Sequence, residues 1–292
     1  MTTGTRHANG EGPGEPAASV GDEAAPALSS ASPGASTVLV AQRPVLVASD
    51  VSVGFGTKTV LAGINLAFAA NTITALIGPT GCGKSTFLRS LNRMNDKVHG
   101  FWVTGTIDLD GTDIYSDESD PLVVRRRVGM VFQRPNPFPM SIRDNVVAGV
   151  KAHRLAPKHE LPEIAERFLR EVGLWPAVAE RTGESPFRLS GGQQQLLCLA
   201  RALAVQPEVL LLDEPTSSLD PVTTEMVEEL LRTLAPNLTM VIVTHNLAQA
   251  RRVATTTAFL YNGQLVESGP TEQVFTDPNE PETVNYVGGR IG

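Results

Sequence analysis

Long apolar runs are missing from this sequence. No stretch approaches the roughly 20 residues that a membrane-spanning helix needs. The longest candidates, 209–212 and 240–243, are strand-sized. The sequence therefore offers no segment that crosses a bilayer by itself. Cysteine is nearly absent, with two residues, which excludes a disulfide scaffold and points to a reducing compartment. Positive charge is not in excess either. The 24 Lys+Arg face 31 Asp+Glu, a net charge of -7, which argues against DNA or RNA as partners. Aromatics are only 5%, yet hydrophobic residues reach 41%, an ordinary value for a soluble protein. The 292 residues suffice for one large domain or two small ones.

Residues 1–40 differ from the rest. Gly, Pro, Ala and Ser supply 23 of them, and no aromatic is present. Such a segment cannot bury enough apolar surface to offset its conformational entropy, so a disordered tail is expected. One arginine and four carboxylates (Glu11, Glu15, Asp22 and Glu23), with no apolar h-region, fit neither a secretory signal nor a transit peptide.

From Val45 onward, strand and helix patterns alternate. Residues 45–47, 51–55 and 64–68 read as strands near one edge. Residues 72–77 form a β-branched run into a Gly-rich turn, and a helix follows from Lys84. Residues 103–109 and Ile114 flank an Asp110-Gly111 turn, the pattern of a hairpin. Residues 128–132 read as another strand. From Ser141 to Glu180 the period becomes helical: Ile142, Val146, Val147 and Val150 share one face, as do Leu161, Ile164, Phe168 and Val172. The continuous apolar runs 209–212 and 240–243 suit buried parallel strands. The expected fold is an α/β core over 45–292 with a helical insertion near 140–185.

Gly78-Pro79-Thr80-Gly81-Cys82-Gly83-Lys84-Ser85 fits the phosphate-loop pattern G-x-x-x-x-G-K-[ST], placed after a strand and before a helix. The glycines let successive backbone N–H groups turn inward onto phosphate oxygens, and the helix start adds its positive dipole end. Lys84 can reach the β- and γ-phosphates, and the Ser85 hydroxyl can ligate Mg²⁺. Cys82 is explained by fit within the loop. Residues 210–212 lead into Asp213-Glu214 at a strand end, where ligands of open α/β sheets gather. Asp213 would hold Mg²⁺ directly or through water, and Glu214 would serve as general base for an attacking water.

Leu189-Ser190-Gly191-Gly192-Gln193 resembles the signature motif of ATP-binding-cassette (ABC) ATPases. Gln133 ends a strand as the family's Q-loop glutamine does. Ser217-Ser218-Leu219-Asp220 resembles the D-loop, and His245 the switch histidine. The resemblance implies a P-loop NTPase cassette with a mixed β core, an antiparallel β subdomain and a helical subdomain. It implies ATP and Mg²⁺ as cofactors, Thr86 and the loop residues at the nucleotide, and Phe55 stacking on adenine. Gln133 would sense Mg²⁺ and the attacking water, and His245 would contact the γ-phosphate. Ser190 can cap its helix while Gly191 and Gly192 leave amides bare, a second anion site. In the family that site closes over ATP held by the other subunit, which implies a head-to-tail homodimer.

Further segments narrow the resemblance: residues 91–96, 125–133, Pro135-Asn136-Pro137-Phe138-Pro139, Thr244-His245-Asn246 and Tyr286-Val287-Gly288-Gly289-Arg290. Together these are similar to the PstB family, the ATP-binding subunits of phosphate importers. That likeness implies two membrane-spanning permease subunits, a phosphate-binding protein acting indirectly, and a peripheral place on the cytoplasmic face of the cell membrane. Phe138 and Pro139 are candidate contacts to the permease. Leu196 departs from the family, which usually has Arg there. The departure removes a cation from the signature helix and bears on its positioning. The engine of an importer for another solute, such as polar amino acids, a soluble cassette ATPase, or a nonhydrolytic nucleotide-binding regulator remains an alternative.

Overall fold

The computed structural model describes residues 44–291. The tail expected over 1–40 lies outside the described residues. Strands β1 (Pro44–Phe55) and β2 (Lys58–Ala69) form an antiparallel pair. β3 (Ile73–Ile77) leaves for a second sheet and runs into the phosphate loop, which is followed by α1 (Lys84–Ser90). β4 (Phe101–Leu109) returns to pair with β1, and β5 (Thr112–Asp113) completes a sheet of order β2-β1-β4-β5.

The chain then passes through α2 (Pro121–Arg127) and β6 (Val128–Val131) into α3 (Ile142–Ala152), α4 (Leu161–Glu171) and α5 (Trp175–Val178). α6 (Gly191–Leu203) leads to β7 (Val209–Asp213), α7 (Pro221–Leu234), β8 (Thr239–Val243) and α8 (Leu247–Val253). A hairpin of β9 (Thr256–Tyr261) and β10 (Gln264–Pro270) precedes α9 (Thr271–Thr276) and α10 (Pro281–Val287). The second sheet has the order β10-β9-β3-β8-β7-β6 and is parallel from β9 to β6.

The apolar runs work as the period of a strand requires. In β7, Leu210 and Leu212 face the core beneath α3, α4 and α6, while Val209 and Leu211 face the core shared with the antiparallel sheet. In β8, Met240 and Ile242 take the first face and Val241 and Val243 the second. Both faces are buried, so no polar residue interrupts either run. Each such aliphatic side chain contributes about 1.5–3 kcal/mol on burial.

Several details differ from the sequence reading: β2 starts at Lys58 rather than Ile64, and the β9–β10 hairpin lies outside the expected strands. The strands expected at 45–47 and 51–55 are one strand, β1. Its register breaks between Ala48 and Val51, and Asp50 sits at φ 51°, so a bulge replaces the expected interruption. Ile114 lies outside β5, although its N–H donates to the Ile107 carbonyl at 2.8 Å. The strand expected through Phe132 ends at Val131. The helical stretch contains α3 to α5, with α3 capped by Ser141, whose Oγ accepts from Asp144 N–H at 3.0 Å. Of the two expected helix faces only Ile164 is partly exposed, the others being buried.

Candidate active site

Four adjacent strands, β3, β8, β7 and β6, end on one side of the sheet. Their carboxyl ends deliver Gly78, His245, Asp213 with Glu214, and Gln133 to one place, the general location of ligands in open α/β sheets. A cavity of about 530 Å³ lies there, lined by Val60, Thr80, Gly81, Gly83, Lys84, Ser85, Thr86, Gln133, Glu214 and His245.

The loop geometry explains its glycines. Gly78 has φ +146°, and a Cβ there would run into the Leu260 carbonyl. Gly83 has φ +108°, and a Cβ there would stand 2.6 Å from Leu61 Cδ2. Larger residues at either position would push the loop off the strands behind it. Lys84 is buried and its ammonium donates to the Gly78 and Pro79 carbonyls at 2.7 and 2.8 Å. Cys82 is buried too, and burial pushes its thiol pKa upward against the opposing effect of Lys84. A neutral packing role fits this residue.

The acid pair divides between two sets of partners. Asp213 is 2% exposed; its Oδ1 accepts from the Ser85 hydroxyl at 2.8 Å and its Oδ2 from Arg89 at 3.0 Å. Glu214 leaves the sheet at φ +46°, with its N–H donating to the Val243 carbonyl at 2.9 Å. This turn sends its side chain away from that of Asp213. Glu214 Oε2 accepts from Gln133 Nε2 at 2.8 Å and lies 3.1 Å from His245 Nδ1. A carboxylate, an amide and an imidazole thus converge on one atom beside the phosphate loop. Ser85 and Gln133 line this cavity and Ser85 bonds to Asp213, and their hydroxyl, amide and carboxylate groups are of the kinds that suit a hard divalent cation.

The signature residues form a separate edge. Ser190 caps α6 in a reciprocal box: Gln193 N–H donates to Ser190 Oγ at 3.3 Å, and Ser190 N–H to Gln193 Oε1 at 3.2 Å. A Cβ on Gly192 would stand 3.2 Å from Thr223 Cγ2, so the start of α6 abuts the start of α7. Asp220 caps α7, accepting from Thr223 N–H at 3.0 Å and Thr223 Oγ1 at 2.6 Å. Those Thr223 bonds hold its carboxyl below the usual range. Ser190 and Asp220 do not line the strand-end cavity, and neither does Phe55, whose ring centroid lies 5.9 Å from that of Phe101. Leu196 is buried in the core, and the signature helix holds other links: Gln195 Nε2 donates to the Phe132 carbonyl at 3.0 Å, and Arg201 to Asn136 Oδ1 at 2.7 Å.

Sequence reading missed two groups at the site. Arg89 stands four residues after Ser85, and helical spacing alone puts both on one face. Gln249, Glu228 and Thr216 form a network below Glu214. Gln249 Nε2 donates to Thr216 Oγ1 at 2.7 Å and to Glu228 Oε1 at 3.2 Å, and Arg252 donates to both Glu228 oxygens at 2.8 and 2.7 Å. No local pattern announces these contacts.

A family model described as ABC transporter matches residues 61–217. A curated relative named phosphate import ATP-binding protein PstB 2, from Mycobacterium tuberculosis, is 59% identical over 252 residues, covering 86% of this chain and 91% of the relative. A phosphate import ATP-binding protein PstB from Mycobacterium intracellulare is 62% identical over 239 residues, covering 82% of this chain and 84% of the relative. Among solved structures, a bacterial Atm1-family ABC exporter with ATP bound matches with a TM-score of 0.68 at 27% identity, over 81% of this chain and 40% of the exporter chain. This chain thus spans less than half of that exporter's length. With the cassette's loop, acid pair and signature motif in place, and with identity this high over nearly whole chains, the chain belongs to the PstB family of ABC transporter ATP-binding proteins.

Proposed function

We propose that this chain hydrolyses ATP to energise phosphate uptake through partner membrane subunits. The observation that carries the reading is the convergence of Gln133 and His245 on Glu214 Oε2, at 2.8 and 3.1 Å, beside the Ser85–Asp213 pair. ATP lies along Gly78, Pro79, Thr80, Gly81, Cys82, Gly83, Lys84, Ser85 and Thr86, with Phe55 against adenine. Lys84 exchanges the carbonyls of Gly78 and Pro79 for the β- and γ-phosphates. Glu214 takes the proton of the attacking water as general base. Gln133 orients that water, and His245 holds the γ-phosphate. Ser85, Asp213 and Gln133 are the residues for Mg²⁺, which when bound neutralises phosphate charge.

Ser190, Gly191, Gly192, Gln193 and Asp220 serve the ATP of a second copy. A head-to-tail homodimer then encloses two nucleotides. Among the described residues no helix is long and apolar enough to cross a membrane. By likeness to the phosphate import relatives, we assign transport itself to two permease subunits, with this chain peripheral on the cytoplasmic face. A phosphate-binding protein acts on the far side, without touching it. Phe138, 41% exposed with the Arg201 guanidinium 4.2 Å over its ring, and Pro139 are the contact candidates toward the permease. The names of the mycobacterial relatives support phosphate as the solute. The test is ³²P-phosphate uptake by cells lacking this chain and any second phosphate importer. Wild type restores uptake and Lys84→Ala does not; undiminished uptake in the deletion overturns the assignment.

A further inference from the structure

The closing segment of the chain reaches back to the phosphate loop. Glu267 of β10 fixes the start of α10, accepting from Asn279 N–H at 2.9 Å and Glu280 N–H at 3.2 Å. One face of α10 then buries Thr283 and Tyr286. The Tyr286 ring stacks on Phe259, centroids 4.8 Å apart and planes 18° from parallel. Phe259 is paired in register with Ile77, the last residue of β3. On this footing the Tyr286 hydroxyl accepts from the Gly78 N–H at 3.2 Å, inside the protein. Beyond it the chain turns at Gly289, φ +71°, with Arg290 N–H donating to the Asn285 carbonyl at 2.8 Å. Gly289, Arg290 and Ile291 line a cavity with Pro79, Thr80 and His245.

Gly78 thus has two anchors of different kinds. Its carbonyl accepts from Lys84, and its N–H donates to Tyr286. The first anchor is lost when Lys84 turns to phosphate. The second is supplied by Tyr286, which lies outside the residues assigned to the nucleotide. A buried N–H without a partner costs free energy, so the base of the loop stays put only if the hydroxyl remains. Burial raises the phenol pKa, and the oxygen is therefore neutral across the physiological range.

We propose that Tyr286 is a positioning residue for ATP, a C-terminal latch that holds the base of the phosphate loop while Lys84 leaves its carbonyls for the nucleotide. The proposal rests on the loop being the ATP site. It places the demand on the hydroxyl in the nucleotide-bound state, where it is the surviving anchor.

The experiment compares full-length wild type, Tyr286→Phe and Lys84→Ala. Tyr286→Phe keeps the ring on Phe259 and removes only the acceptor. Its expected signature is ATP binding weakened about 3- to 10-fold, a smaller ATP-induced rise in melting temperature, and a modest fall in the melting temperature without nucleotide from the unpartnered Gly78 N–H. Amide hydrogen exchange without nucleotide should quicken in the peptide carrying Gly78 and remain slow in β7 and β8. Wild-type ATP affinity and loop exchange in Tyr286→Phe overturn the latch. A lower melting temperature without nucleotide, with the full ATP-induced rise retained, overturns it as well, since that is a packing effect alone. ATP affinity unchanged in Lys84→Ala overturns the reading of the loop itself, and the latch with it.

Discussion

The two halves of the candidate site are built on opposite terms. At the strand ends, the polar groups are engaged with one another: Asp213 with Ser85 and Arg89, Glu214 with Gln133 and His245. Side-chain exposure is 2% for Asp213 and 19% for Glu214. At the signature edge, Ser190, Gly191 and Asp220 are exposed, and the side chains of Ser190 and Asp220 bond within their own helix starts. In the proposed function the first half is the reaction centre, assembled within one chain. The second, proposed as the anion site for the nucleotide of another copy, is a capped helix start that does not line the cavity of its own chain. On the proposed function, one chain binds nucleotide with the first half, and hydrolysis draws on the second half of another copy.

The largest expected effect lies in the first half. Glu214→Gln keeps the shape and removes the base, so turnover should fall about 10²- to 10⁴-fold. ATP affinity should be retained, because the loop is untouched. Steady-state phosphate release by the assembled transporter, with ATP binding measured in parallel, checks both. Turnover equal to wild type removes Glu214 from its role.

The second half should respond differently. Ser190→Glu sets a carboxylate where the amides await an anion, while ATP binding by its own loop is spared. Turnover should fall roughly 10- to 100-fold by loss of one phosphate contact. A mixture sharpens the contrast between the halves. Ser190→Glu combined with Glu214→Gln leaves one intact composite site in each mixed dimer, so turnover should rise above that of either variant alone. A mixture no more active than its parts means that each chain completes its own site, and the division between halves fails.

How far the sequence reveals this division depends on the range of each contact. Residues close in the chain are readable: the loop 78–85, the Asp213-Glu214 strand end, and the Ser190 cap with Gln193 three residues on. The buried strands are readable because both faces demand apolar side chains. Pairings over long separations are not. Tyr286 meets Gly78 across 208 residues, and Ser85 meets Asp213 across 128. The first pairing joins the phosphate loop to a closing segment with no mechanistic motif, whereas the second joins two mechanistic motifs. The bulge at Asp50 hides for another reason. Polar residues in mid-strand look like a break unless the pairing with β2 and β4 is known. Leu196 reads as a missing cation in the sequence, while in the fold it is a core residue of a helix held by Gln195 and Arg201.

A smaller effect tests what supports the reaction centre from below. Glu228 is 3% exposed, and its two oxygens take both Arg252 bonds and one from Gln249. Gln249 passes the restraint to Thr216, two residues beyond Glu214. The Arg252 hydrogen bonds chiefly hold the Glu228 carboxyl below its ordinary value of 4.5. Glu228→Gln should destabilise the protein by about 1–3 kcal/mol at neutral pH, the lower part being favoured because Arg252 is half exposed. The sign with pH follows from the depressed value. The unfolded chain binds the proton first as pH falls, so the charge contributes its full stability above the unfolded value and loses it as pH drops through the folded one. The gap between wild type and Glu228→Gln should therefore hold steady from pH 7 down to about 5 and close at lower pH. Urea unfolding across that range measures it. The signature edge gives a contrast within the same experiment. Asp220 is also held low, but it is an exposed cap, and the pH-dependent loss from Asp220→Asn should be smaller than that from Glu228→Gln. Equal losses would mean that the buried network is no stiffer than a surface cap, and that the strand-end half is not the better braced of the two.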